Sequence, residues 1–109
     1  SNILMKNIKH IYLIFCLFSC LFFLPAKSDQ MFNLGKIIFL EKGNCASCHT
    51  LRDAGSSATI GPNLNEIKPI KERVVEVVTN GISMMPPYEG ILSKNEIQAV
   101  AYYVSKSSD

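Results

Sequence analysis

Cys45-Ala46-Ser47-Cys48-His49 is the stretch on which the reading of this chain turns. The 109 residues hold four cysteines and two histidines, and beyond residue 28 only Cys45, Cys48 and His49 remain. All three therefore fall inside one pentapeptide. C-x-x-C-H at this spacing is the attachment pattern of a c-type haem. Two such thiols can each form a thioether to a neighbouring vinyl group of one porphyrin. The histidine that follows is then placed to bind the iron from one side.

Three other uses of the pentapeptide are weaker. A disulfide between Cys45 and Cys48 closes a very small loop and constrains little of the unfolded chain. A thioredoxin-like dithiol sits at a strand-to-helix junction of an alternating βαβ pattern, which this sequence lacks. Zinc needs four Cys or His ligands, or three with an open position, and no second ligand pair follows residue 28.

Working towards the N-terminus, Lys6 and Lys9 precede an uncharged, mostly apolar run at 11–24, followed by Pro25, Ala26, Lys27 and Ser28. That is the order of a secretory n-region, h-region and cleavage site, with the cut expected before Asp29. The expected organisation is a signal peptide over 1–28 and one small domain over 29–109. Fourteen residues of helix rise about 21 Å against a hydrocarbon core of roughly 30 Å, so a permanent span is the weaker reading. An uncleaved leader holding the domain at a membrane remains open, as does lipidation at Leu17-Phe18-Ser19-Cys20, although the latter would leave an apolar stub. Membrane association is expected only through 1–28. Export is common to all three, and places the thiols where they must be oxidised or otherwise modified to persist.

The formal charge of +2 comes from 11 Lys and Arg against 9 Asp and Glu. Lys6, Lys9 and Lys27 lie in the leader, so the remainder is close to neutral. No basic stripe interleaves with aromatics, and nucleic acid is excluded as a partner.

The rest of the chain reads as helices joined by long loops. Phe32, Leu34, Ile37, Ile38 and Phe39 predict a helix over 30–42, with a short strand at 37–40 as the alternative, ended by Gly43 and Asn44. Residues 50–66 are rich in Gly, Ser, Asn and Asp without a period and predict a long ordered loop, of a length that needs something bulky to wrap around. Val74, Val75, Val77 and Val78 among charges predict a helix over 70–80, stopped at Asn80-Gly81, with a strand as runner-up. Pro86 and Pro87 exclude regular structure at 81–92. Ser93-Lys94-Asn95-Glu96 is a capping box, with Leu92 and Ile97 as its hydrophobic staple. It starts a helix at Lys94 whose stripe is Ile97, Val100, Ala101 and Val104, out to about residue 106.

With His49 on one side of an iron, the opposite side needs another residue, water or an exogenous molecule. Met31, Met84, Met85 and lysines are the candidates. Met31 falls in a helix, where packing is its default role. A methionine in a stiff proline loop is better held, which directs attention to Met84 and Met85.

Taken together with the pentapeptide, Gly61-Pro62-Asn63-Leu64 resembles the G-P-x-L stretch of class I cytochromes c of the small bacterial single-haem type. Gly81-Ile82-Ser83-Met84-Met85-Pro86 resembles their G-x-x-x-M-P stretch. The resemblance covers essentially all of 29–109. It implies an all-α fold of three to four helices with long loops wrapped around one haem c, bound covalently through Cys45 and Cys48. It further implies His49 and Met85 as iron ligands, a Pro62 carbonyl that orients His49, Leu64 against the haem, and a Gly35–Tyr103 approach between the terminal helices. The usual Phe after M-P-x is Tyr88 here, and a buried hydroxyl needs a partner.

On that footing the chain is expected to be a monomeric periplasmic carrier of single electrons between a redox donor and an acceptor, without enzymatic activity. A fixed or membrane-anchored haem subunit of a dehydrogenase or oxidase is the alternative. A haem sensor or peroxidase comes third.

Overall fold

The computed structural model describes residues 2–22 and 26–109. Helix α1 (Asn2–Phe22) precedes α2 (Lys27–Leu40), α3 (Leu64–Ile67), α4 (Lys71–Asn80) and α5 (Lys94–Ser107). The only strands among the described residues are β1 (Thr50–Leu51) and β2 (Ser56–Ser57). The fold is mainly helical with long connections between the helices, as expected. Side chains 5–18 of α1 are all exposed. Among the described residues no helix is long and apolar enough to cross a membrane. Phe23, Leu24 and Pro25, at the end of the expected leader, lie outside the described residues, and so does the side chain of Cys20.

α2 begins at Lys27, earlier than the apolar pattern indicates, so a cut before Asp29 falls in its first turn. Asp29 lies in that first turn, where a negative charge favours helix. The helix ends at Leu40, where Glu41 N–H donates to the Ile37 carbonyl and Gly43 N–H to the Ile38 carbonyl at 2.7 Å. No strand forms at 37–40, because Ile38 and Phe39 are both needed on one buried helical face.

That face packs on α5, the most extensive contact in the molecule. Gly35 makes the approach possible: a Cβ there would collide with the Ala99 carbonyl oxygen and come within 2.5 Å of Tyr103 Cβ. Tyr103 is fully buried and packs edge-on against Phe32 and Phe39, with ring centroids 4.9 and 5.7 Å away.

α5 starts at Lys94 with both halves of the capping box in place. Ser93 Oγ accepts from Glu96 N–H at 3.1 Å and Glu96 Oε1 accepts from Ser93 N–H at 2.9 Å. Leu92 and Ile97, the staple pair, are both 4% exposed. α4 is a helix and not the alternative strand: Val74 and Val78, one turn apart, reach the core while Glu72, Arg73 and Glu76 stay in water. Gly81, at φ +73°, stops it.

The expected loop at 50–66 is more ordered than its composition indicates. β1 and β2 pair antiparallel, Thr50 with Ser57 and Leu51 with Ser56, around a 3-10 turn at Arg52–Ala54. Leu51 is wholly buried and pins the hairpin to the core. Asn63 caps α3, its side-chain oxygen accepting from Asn65 N–H at 3.0 Å.

Asp53 locks that hairpin to the paired helices. Its Oδ2 accepts from the Tyr103 hydroxyl at 2.7 Å and lies 3.2 Å from Lys36 Nζ. The Tyr103 hydroxyl, opposed by desolvation and helped by Lys36, holds the Asp53 carboxyl below its ordinary value. A depressed folded pKa stabilises above the unfolded value, about 3.9, and the contribution is lost as pH falls through the lower folded value. The stability difference between wild type and Asp53→Asn is therefore expected to shrink between about pH 5 and pH 2. Denaturant midpoints of the two haem-loaded proteins across that range provide the check.

Candidate functional site

The pentapeptide leaves α2 through a sharp reversal. Asn44 is left-handed at φ 50°, and Cys45–Ser47 form a 3-10 turn. Cys48 N–H and His49 N–H both donate to the Cys45 carbonyl, at 3.1 and 3.0 Å. The two cysteines are half-buried and not bonded to each other. Burial pushes the Cys45 thiol up to about 11. Among the described residues no three His, Cys, Asp or Glu side chains cluster as a metal site.

His49 is oriented from the opposite side of the site. Its Nδ1 donates to the Pro62 carbonyl at 2.8 Å, which leaves Nε2 with its lone pair and no proton. The strap carrying Pro62 is fixed by Gly61 N–H donating to the Cys48 carbonyl at 2.7 Å. Gly61 must be glycine, because a Cβ there would stand 2.6 Å from His49 Cε1 and 2.8 Å from Nδ1. Leu64, first residue of α3, is 8% exposed and belongs to the main apolar cluster.

The two methionines part company. Ile82 and Met85 exchange both backbone hydrogen bonds, at 3.1 and 2.9 Å, across a tight turn with Ser83 at φ 52°. Met84 stands at the tip and is 90% exposed, whereas Met85 returns to pack against the core. Met31 lies in α2, outside this turn.

Tyr88, the departure from the family's Phe, finds a partner for its hydroxyl in the Gly43 carbonyl at 2.8 Å. Burial, and next the nearby Cys45 and Cys48 thiols, push its phenol up. Sequence reasoning identified the need for a partner but could not name it, since the two residues are 45 positions apart. Asn63 was likewise missed as a helix cap, although an Asn directly ahead of an apolar residue is a recognised start signal.

Thiols at C-x-x-C spacing, a histidine with one nitrogen already engaged, and a glycine cradle beside its ring form a donor set that suits covalent haem. The family described as "Cytochrome C oxidase, cbb3-type, subunit III" matches residues 31–104, and the chain belongs to this family of c-type cytochrome domains. It is similar to the cytochrome c6 of Nostoc sp. strain PCC 7120, 34% identical with 96% of each chain covered. It is also similar to the cytochrome c6 of Leptolyngbya boryana, 37% identical over 56% of this chain and 76% of that protein. Among solved structures it resembles the c-type cytochrome SorU from Sinorhizobium meliloti, with 51% identity, TM-score 0.70, and 73% of this chain and 93% of that one covered. The chain is accordingly a small class I cytochrome c, an electron-transfer protein that carries one haem c and acts with redox partners.

Proposed function

We propose that the mature domain, 29–109, is a periplasmic carrier that shuttles single electrons between a donor and an acceptor protein, with His49 and Met85 as the two iron ligands and no catalytic residue. The observation that carries this reading is the Ile82–Met85 turn, which sends Met84 into water and Met85 back to the core. When bound, haem c supplies a reversible one-electron iron couple. Cys45 and Cys48 would hold it covalently, and the Pro62 carbonyl keeps His49 in one tautomer and one orientation. Leu64, buried at the start of α3, would pack against the haem. Met85, held by its turn, would take the remaining iron position and leave none for a substrate. The relatives named cytochrome c6 support a carrier role, and the leader-like segment at 1–28 supports export.

A fixed subunit is the second reading, favoured by the family description, which names an oxidase subunit. Membrane fractionation and size-exclusion chromatography of the native protein distinguish the two. Occupancy of both iron positions is tested with carbon monoxide. The reduced haem-loaded protein is expected not to bind it at neutral pH, and ready binding would replace the carrier by a sensor or peroxidase.

A further inference from the structure

The segment 81–92 carries Met85, yet little fixes it to the side of the molecule that holds the cysteines. Its backbone is anchored to α4, through Tyr88 N–H donating to the Val78 carbonyl at 2.8 Å and Glu89 N–H to the Thr79 carbonyl at 3.4 Å. Gly81 N–H also donates to the Val77 carbonyl at 2.8 Å, and the other backbone bonds are internal, Ile82 with Met85 and Ile91 and Leu92 with Tyr88. Among the described hydrogen bonds only Tyr88 Oη to the Gly43 carbonyl joins this segment to the chain ahead of α4. Gly43 is a firm attachment point. It is buried, its own N–H is bonded to the Ile38 carbonyl at 2.7 Å, and a Cβ there would meet Cys45 Sγ at 3.1 Å.

We propose that the Tyr88 hydroxyl is a positioning group, a tether that closes the Met85 segment onto the Cys45 turn and so sets how readily the Met85 sulfur leaves the iron. The inference rests on the reading of Met85 as an iron ligand. The physical argument is one of linkage. An outside ligand such as imidazole can take the Met85 position only when the segment swings away, so its apparent affinity scales with the fraction of molecules in which the segment is detached. A hydrogen bond present only in the attached state lowers that fraction. Removing the hydroxyl also leaves the part-buried Gly43 carbonyl without this partner, which adds to the effect. The phenol ring, packed against the core, would be retained by phenylalanine.

The test is an imidazole titration of the oxidised haem-loaded protein, followed by loss of the weak sulfur-to-iron band at the red end of the visible spectrum. Tyr88→Phe is compared with Tyr103→Phe, which deletes a hydroxyl of equal kind from the Asp53 contact on α5. Tyr88→Phe is expected to bind imidazole about fivefold to tenfold more tightly than wild type, as the loss of roughly one hydrogen bond implies. Tyr103→Phe is expected to stay within about twofold of wild type, whatever it does to the denaturation midpoint. Equal effects of the two variants, or no effect of Tyr88→Phe, would overturn the tether. Met85→Ala separates the two layers: persistence of the sulfur band there removes the ligand assignment and the tether with it. Loss of the band in Met85→Ala together with an inert Tyr88→Phe removes the tether alone.

Discussion

Cys45→Ala combined with Cys48→Ala is expected to give a chain that carries no covalent haem and loses its cooperative fold. A domain of about 80 residues buries only about 60% of the surface its unfolded chain exposes, which leaves little net stability. Here the buried apolar set is small and sits mainly where α2 and α4 meet α5. The segments at 50–66 and 81–92 contribute Leu51, Leu64, Met85, Tyr88 and Leu92 to that cluster but contain little regular structure. A large apolar cofactor gives them a surface to pack on, and covalent attachment keeps it there through every opening event. Mass spectrometry of the double variant should show the mass of the polypeptide alone, and far-ultraviolet circular dichroism should show most of the helical signal gone. A double variant that keeps a covalent tetrapyrrole would refute attachment through this pair. One that stays fully helical without haem would refute the stabilising role of the cofactor.

Met85→Ala carries the second large effect. The axial ligand is the strongest single control a protein has over haem potential, across a span of about 0.8 V, and a thioether favours the ferrous state. Removing it is expected to lower the midpoint potential by on the order of 0.1 V, to abolish the sulfur-to-iron band, and to open the reduced protein to carbon monoxide. Met84→Ala should change none of these, because its side chain stands 90% exposed at the tip of the turn. Potentiometry and optical spectra of the two variants decide the matter. A result in which only Met84→Ala removes the band would exchange the roles of the two residues.

The pentapeptide, the capping box at Ser93–Glu96 and the stripe Ile97, Val100, Ala101 and Val104 were legible because each is written within a few consecutive residues. α4 was legible for the same reason, despite its β-branched residues, since Asn80-Gly81 marks its end locally. The hairpin of β1 and β2 was not. Two-residue strands show no alternation, and what orders them is Leu51 finding the core and Ser56 Oγ accepting from Leu51 N–H at 3.0 Å.

From its own order of residues the chain determined that it holds a haem, and where its longer helices begin. These follow from short-range chemistry: thiol and imidazole spacing, and backbone amides capped by a neighbour. Tertiary structure alone decided which methionine faces inward, that Gly43 receives the Tyr88 hydroxyl, and that Lys36 and Tyr103 converge on Asp53. Those contacts join residues 45 and 50 positions apart in two of the cases, and no local pattern encodes a partner that only folding brings within hydrogen-bond reach.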